Sequence, residues 1–223
     1  MVLNASQKSP PEDIPPAGVR SLSQSIWPWL QVVVHLAALA PLALLLLAWT
    51  GDRLGANPIR EITLRTGRYA LALVLLSLAS TPLYLLTGLA AIRRLRKPLG
   101  LYAFLYVTIH LLTYVGLDFG FNLSFLWPEL TQQPFIQVGL IAFLILLPLA
   151  ITSTRGWIAR LGKNWKRLHR LVYLAAALAV LHFFWIVKGD WRRPALAALV
   201  LGLLLLARLP PLHKLWARLR KRI

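Results

Sequence analysis

Three histidines, His110, His169 and His182, lie within or at the ends of apolar segments long enough to cross a bilayer. Hydrocarbon offers an imidazole no hydrogen-bond partner, so such residues face a bundle interior, a cavity or a cofactor. Two histidines meeting from facing helices are a standard way to hold a heme iron in a helical bundle. Spacing divides the three. His110 and His182 each follow the last cation of the preceding basic loop, Lys97 and Arg170, by roughly 18–20 Å of helix at about 1.5 Å rise per residue. They therefore match in depth, past the midplane of a hydrocarbon core about 30 Å thick. His169 precedes His182 by about 20 Å along a continuous helix and cannot share its iron.

His169 is either the ligand of a second group near the inner boundary or an interfacial imidazole among Arg167 and Arg170. The matching positions before His110 are Arg96 and Lys97. A second heme would thus need a non-histidine ligand, His213 from the tail, or a ligand from a second subunit. His35, alone in the first apolar segment, reads as a helix–helix hydrogen bonder. His213 sits in a cationic tail and reads as solvated. Around His169 the chain reads Arg160-Leu161-Gly162-Lys163-Asn164-Trp165-Lys166-Arg167-Leu168-His169-Arg170. This run is either a topology signal against lipid phosphates or an anion dock for propionates, a flavin phosphate or an acidic redox partner. In the second case Arg160, Arg167 and Arg170 bind the cofactor and Trp165 stacks on its ring. Arg60, Arg65 and Arg68 frame Thr66-Gly67 at the opposite boundary, as propionate or partner contacts or as snorkelling helix-end cations. Asp118 ends the third segment on that same side, as a partner contact or a charge cap. Tyr106 and Tyr114 share the helix face of His110, as porphyrin contacts or core packing.

The elements that carry these residues are membrane helices. The chain has 223 residues, is 58% hydrophobic with a mean hydropathy of +0.64, and is only 14% charged. Ordinary soluble domains are about half apolar and about a quarter charged. With no cysteine, the chain has no disulfide, iron–sulfur ligation or thiol catalysis. The net charge of +18 would suggest nucleic acid in a soluble protein. In a membrane protein, basic loops that set topology and contact lipids explain it better, and no nucleic-acid partner is expected.

Six spans are expected, each about 20 residues: Ile26–Trp49, Tyr69–Ile92, Leu99–Leu117, Pro134–Thr152, Leu171–Val187 and Trp191–Leu209. Arg192 and Arg193 interrupt the start of the sixth, the weakest. Residues 1–25 read as a flexible tail with Pro10, Pro11, Pro15 and Pro16, and 210–223 as a basic tail. The six-helix domain is 26–209, and its first span reads as an anchor rather than a cleaved signal. Most Lys and Arg fall in the second and fourth loops and the C-terminal tail, which places both termini in the cytoplasm. No internal repeat is evident, so an inverted-repeat transporter is not supported. No phosphate loop, nucleotide fingerprint or nucleophile–base pair appears. Chemistry would belong to a cofactor.

Several stretches carry a family resemblance: Arg65-Thr66-Gly67 with Thr81-Pro82-Leu83, and Leu99-Gly100-Leu101-Tyr102-Ala103-Phe104 leading to Tyr106 and His110. Pro134-Phe135 with Gly139 and Leu147-Pro148-Leu149-Ala150-Ile151-Thr152-Ser153 follow. The most specific is Arg160-Leu161-Gly162, Trp165 and Leu168-His169-Arg170-Leu171-Val172-Tyr173, followed by His182. Across about Arg60 to Trp185 the chain resembles the MsrQ (YedZ) family, membrane subunits within the ferric reductase-like transmembrane group. The resemblance implies b-type heme, one or two per chain, with His110, His169 and His182 as ligand histidines. It also implies a multi-pass protein of the bacterial inner membrane that passes electrons to a periplasmic molybdopterin methionine sulfoxide reductase, MsrP, for repair of oxidised proteins. The quinone pool or a cytosolic flavin reductase would be the donor, and FMN is a further cofactor attributed to some members. Such a chain is a subunit of an oxidoreductase system rather than its sulfoxide-reducing enzyme. The competing readings are a self-contained ferric or quinone reductase, and a non-redox channel or proton carrier.

Overall fold

The computed structural model describes residues 17–209 apart from Lys188, with side chains from Gln24 onward. His213, the proline-rich start of the N-terminal tail and the basic tail 210–223 lie outside the described residues. Every regular element among the described residues is helical: α1 (Ala17–Thr50), α2 (Pro58–Thr87), α3 (Ala90–Arg94), α4 (Arg96–Leu112), α5 (Leu123–Gln132), α6 (Pro134–Ile151), α7 (Arg155–Leu161), α8 (Lys163–His169), α9 (Val172–Ile186) and α10 (Arg192–Leu206). A π-helical stretch, Thr113–Asp118, continues α4 directly after the turn that bears His110.

Among the described residues, five stretches are helical, long and apolar enough to cross a membrane: Gln24–Thr50, Pro58–Thr87, Ala90–Asp118, Pro134–Ile151 and Lys163–Ile186. The expected sixth span is not among them. Helix α10 has 15 residues, about 22 Å at helical rise, short of a core about 30 Å thick. Its start is fixed by Arg192 and Arg193, which resist burial in hydrocarbon. Helix α1 begins at Ala17, before the apolar stretch that opens at Ile26.

The second span differs most from its expected limits. It starts at Pro58 rather than Tyr69. Asn57 caps it, its side chain accepting from Arg60 N at 3.0 Å, and Pro58 fills a first-turn position where no N–H is needed. Arg65 Nε donates to Glu61 Oε1 at 2.6 Å one turn away, so the charged turns are helical. Gly88, at φ +71°, then ends the helix in the left-handed conformation, its N–H returning to Tyr84 O.

The main packing is pairwise. Helix α2 lies along α4 and α6 along α9, and α10 joins through α9 and α2. The core gathers Leu71, Val74 and Leu78 of α2, Leu99, Ala103 and Tyr106 of α4, Ala176 and Val180 of α9, and Leu201 of α10. Tyr106 is fully buried, donates to Ala38 O at 2.7 Å and meets the Tyr69 ring edge-on. It is core packing that also ties α1 to α4. Most of α1 instead presents Val32, Val33, Leu36, Leu44 and Leu47 outward. Lipid tails solvate such a surface; water does not.

Candidate functional site

His110 on α4 turns toward α2, where its Nδ1 lies 2.8 Å from Thr63 O. His182 on α9 turns toward α6, where its Nδ1 lies 2.7 Å from Phe135 O. A carbonyl only accepts, so each Nδ1 carries the proton and donates, and each Nε2 keeps its lone pair. This bond fixes the tautomer in which an imidazole ligates a metal through Nε2.

The two ring centroids lie 6.1 Å apart, with the ring planes at 89°. An imidazole–metal bond is about 2 Å and the ring centre sits roughly 1 Å behind the nitrogen, so one ion between two Nε2 atoms separates the centroids by about 6 Å. The His110–His182 spacing meets that requirement. Among the described residues no group of three or more His, Cys, Asp or Glu is placed to cage a bare ion. Two imidazoles fit an iron whose other four positions a porphyrin fills.

Glycine makes room for each ring. A Cβ at Gly67 would lie 3.0 Å from His110 Nδ1, and one at Gly139 would lie 2.8 Å from His182 Cε1. Both glycines sit inside membrane helices, where Gly costs roughly 1 kcal/mol against Ala. Their positions explain that cost.

These contacts occur twice with one register. Each histidine follows its carbonyl by 47 residues. Gly67 follows Thr63, and Gly139 follows Phe135, by one helical turn. Ala70 and Ala103 in the α2–α4 pair correspond by the same offset to Ala142 and Ala175 in the α6–α9 pair, and all four are buried. The expectation of no internal repeat is therefore corrected. The copies share a few small residues and a histidine, while the apolar positions between them have exchanged freely. Both copies run in the same sense, so this is not the inverted repeat of transporters.

The third histidine lies elsewhere. The His169 ring stacks on Trp165 with centroids 4.0 Å apart, and its Nε2 is 3.1 Å from Thr152 Oγ1. The Thr152 hydroxyl donates its one proton to Pro148 O at 2.6 Å, so it accepts from His169 and Nε2 carries the proton there. Trp165 Nε1 donates to Thr152 O at 2.9 Å. The repeat places Lys97 where α4 would offer a mate for His169. Arg160, Arg167 and Arg170 are exposed, and the Arg160 guanidinium lies over Trp157 rather than Trp165, 5.5 Å from the ring centre. The structure thus brings His110 to His182 and Trp165 to His169, and keeps the two sets apart.

The other expected residues have structural partners. His35 Nδ1 is 2.7 Å from Tyr102 Oη. Tyr114 packs against Phe119 within and beyond the π-helical stretch, which ends at Asp118. Arg65 pairs with Glu61, and Arg68 Nε donates to Leu64 O at 3.2 Å. Sequence reasoning named Gly67 and Gly139 only as motif residues, and missed their contact with the histidines and the carbonyls of Thr63 and Phe135. The available signal was a glycine in each preceding apolar segment at one fixed distance from its histidine.

A family profile described as the ferric reductase-like transmembrane component matches residues 66–180. The chain is 51% identical over 183 residues to the protein-methionine-sulfoxide reductase heme-binding subunit MsrQ of Xanthomonas axonopodis pv. citri, covering 78% of this chain and 83% of that one. It is 47% identical over 182 residues to the MsrQ subunit of Rhodospirillum rubrum, covering 81% of this chain and 88% of the relative. Five apolar helices and a transmembrane family profile make it a multi-pass membrane protein. The chain belongs to the ferric reductase-like transmembrane family, within its MsrQ branch.

Proposed function

We propose that this chain is the heme-binding electron-transfer subunit of a methionine sulfoxide reductase system, with His110 and His182 as the protein ligands of a heme b. The observation that carries the reading is the apposed pair of imidazoles, each held through Nδ1 by a carbonyl and each with Nε2 free. The similarity to relatives named as heme-binding MsrQ subunits supports it. A bound heme supplies a one-electron iron couple.

The chain's own residues do the rest. The Thr63 and Phe135 carbonyls orient the rings and raise the basicity of Nε2. Gly67 and Gly139 let α2 and α6 approach close enough for those bonds to form. Buried Ala103, Tyr106 and Val180 keep water from the surrounding bundle. The basic end, near Arg96 and His169, is the cytoplasmic one, with both termini there and α10 as a short sixth span. Electrons enter from the quinone pool or a cytosolic flavin reductase. They leave at the opposite end to the periplasmic reductase MsrP. The roughly 20 Å between His169 and His182 is long for one transfer, which favours a further redox group, FMN or a second heme, at the basic end. With Lys97 in the facing position, such a group would need a ligand other than a second imidazole of α4.

The test is heme and flavin stoichiometry with absorbance spectra on the purified full-length protein, alongside His110→Ala and His182→Ala. A Soret band present in the parent and lost in both variants is expected. No Soret band in heme-replete protein overturns the reading. One heme and no flavin removes the further group, and turnover of ferric chelates without a partner protein would favour a self-contained reductase.

A further inference from the structure

We propose that Arg96, Tyr173 and Arg208 form a binding site for the phosphate of an anionic phospholipid at the basic end of the bundle. Four helices converge there. Arg208, just past α10, donates through its two terminal nitrogens to Tyr173 Oη on α9 and to Leu78 O on α2. Its guanidinium also lies over the Tyr173 ring, 5.0 Å from the centre. Arg96 opens α4, its carbonyl accepting from Ser77 Oγ of α2 at 2.8 Å. Arg96 and Arg208 thus bond to adjacent residues of α2, Ser77 and Leu78.

The partners of Arg208 are neutral. Its Nε–H is buried and has no partner among the described residues, and a guanidinium has five N–H donors to satisfy. Two like charges converge, which costs free energy unless an anion sits between them. Among the described residues no carboxylate pairs with either arginine. Among the described residues Asp52, Glu61, Asp118, Glu129 and Asp190 all belong to the opposite end, and the ion pairs found are those of Glu61 with Arg65 and Arg68.

The surroundings favour a lipid as the source of the anion. Leu171, Leu206 and Leu209 are exposed beside the cluster, as acyl chains require. Basic pockets between membrane helices are where anionic headgroups bind. The site would fasten α10, too short to span the core by itself, onto α2, α4 and α9.

The test uses full-length protein, delipidated in detergent and followed by thermal unfolding during titration with cardiolipin, phosphatidylcholine or inorganic phosphate. Cardiolipin is expected to raise the melting temperature, phosphatidylcholine much less, and inorganic phosphate only at far higher concentration. Arg208→Gln and Arg96→Gln should each need about fivefold more cardiolipin for the same rise. Arg208→Lys keeps the charge, serves if Arg208→Gln fails to fold, and should lie between the two. The proposal is overturned by equal cardiolipin dependence in parent and Arg96→Gln, by equal rises from both lipids, or by inorganic phosphate acting at the lipid's concentration. Loss of heme from Arg208→Gln with an unchanged lipid response would assign the arginine to a propionate and also overturn it.

Discussion

The bundle holds imidazole in two ways. Toward the end opposite the basic loops, His110 and His182 each donate Nδ1–H to a carbonyl of a neighbouring helix, each lie against a glycine, and have ring centroids 6.1 Å apart with Nε2 unengaged. At the basic end, His169 has Nε2 against the Thr152 hydroxyl and its ring face on Trp165. The first arrangement is duplicated by the internal repeat; the second has Lys97 where a duplicate would be. Burying an imidazole does not by itself build a ligand. What separates the regions is which ring nitrogen the fold leaves free, and that is decided by backbone carbonyls and glycines on helices the histidines do not belong to.

The largest effect expected from breaking the comparison is on the pair. Either His110→Ala or His182→Ala removes one of the two proposed ligands, and the low-spin heme signal should vanish from each. His169→Ala should leave that signal in place and lose only a group held at the basic end. Heme-to-protein ratios and electron paramagnetic resonance on the three variants check this. A low-spin signal surviving in His182→Ala would show that the apposed rings do not share an iron. The resonance also sharpens the comparison in the unsubstituted protein. Imidazole planes at 89°, if kept on a bound iron, would leave the two orbitals that receive ligand π-donation nearly degenerate. A strongly anisotropic low-spin spectrum is expected, and a rhombic one would mean that the rings turn parallel on binding.

The next effect concerns the glycines. Ala at an exposed helix position would gain roughly 1 kcal/mol over Gly, whereas overpacking a filled interior costs about 1–3 kcal/mol. At Gly139 the new methyl would come within 2.8 Å of His182 Cε1, a ring already fastened through Nδ1, so the clash should prevail. Gly139→Ala is expected to lower heme occupancy severalfold and shift the heme potential. Gly67→Ala, at 3.0 Å, should do the same more mildly. The order of the two, read by potentiometric titration, tests whether close approach sets the site. Equal or absent effects would mean that the helices part easily.

How much of this could be read from the chain follows from what each feature depends on. Membrane helices and the matched depth of His110 and His182 depend on run length and rise, both local properties. The apposition at 6.1 Å agrees with that depth argument. The start of α2 was missed because Arg60, Glu61, Arg65 and Arg68 look like a loop until Glu61 and Arg65 are seen as neighbours one turn apart. For the sixth segment, apolar composition through Leu209 does not reveal that helix α10 runs only from Arg192 to Leu206. The repeat was missed because it consists of a glycine, two alanines and a histidine per copy, positions chosen by helix separation rather than hydropathy. The partners of His169 were beyond local reading, since Thr152 lies just past the end of α6 and the turn through Gly162, at φ +49°, precedes α8, which carries Trp165.

The smallest effect tests whether that last cluster is structural. Trp165→Phe keeps a ring to stack on His169 and removes the Nε1–H that donates to Thr152 O. A net hydrogen bond is worth about 1 kcal/mol, and the carbonyl released is at a helix end where water or lipid headgroups can reach it. Thermal unfolding should therefore show a loss of about 1 kcal/mol or less, with the spectrum of the His110–His182 heme unchanged. Trp165→Ala also removes the stacked surface and should cost more, still without moving that spectrum. If Trp165→Phe instead removed a bound flavin or heme while stability held, the basic end would be a cofactor site in its own right, and the difference between the two regions would be one of ligand rather than of ligation against packing.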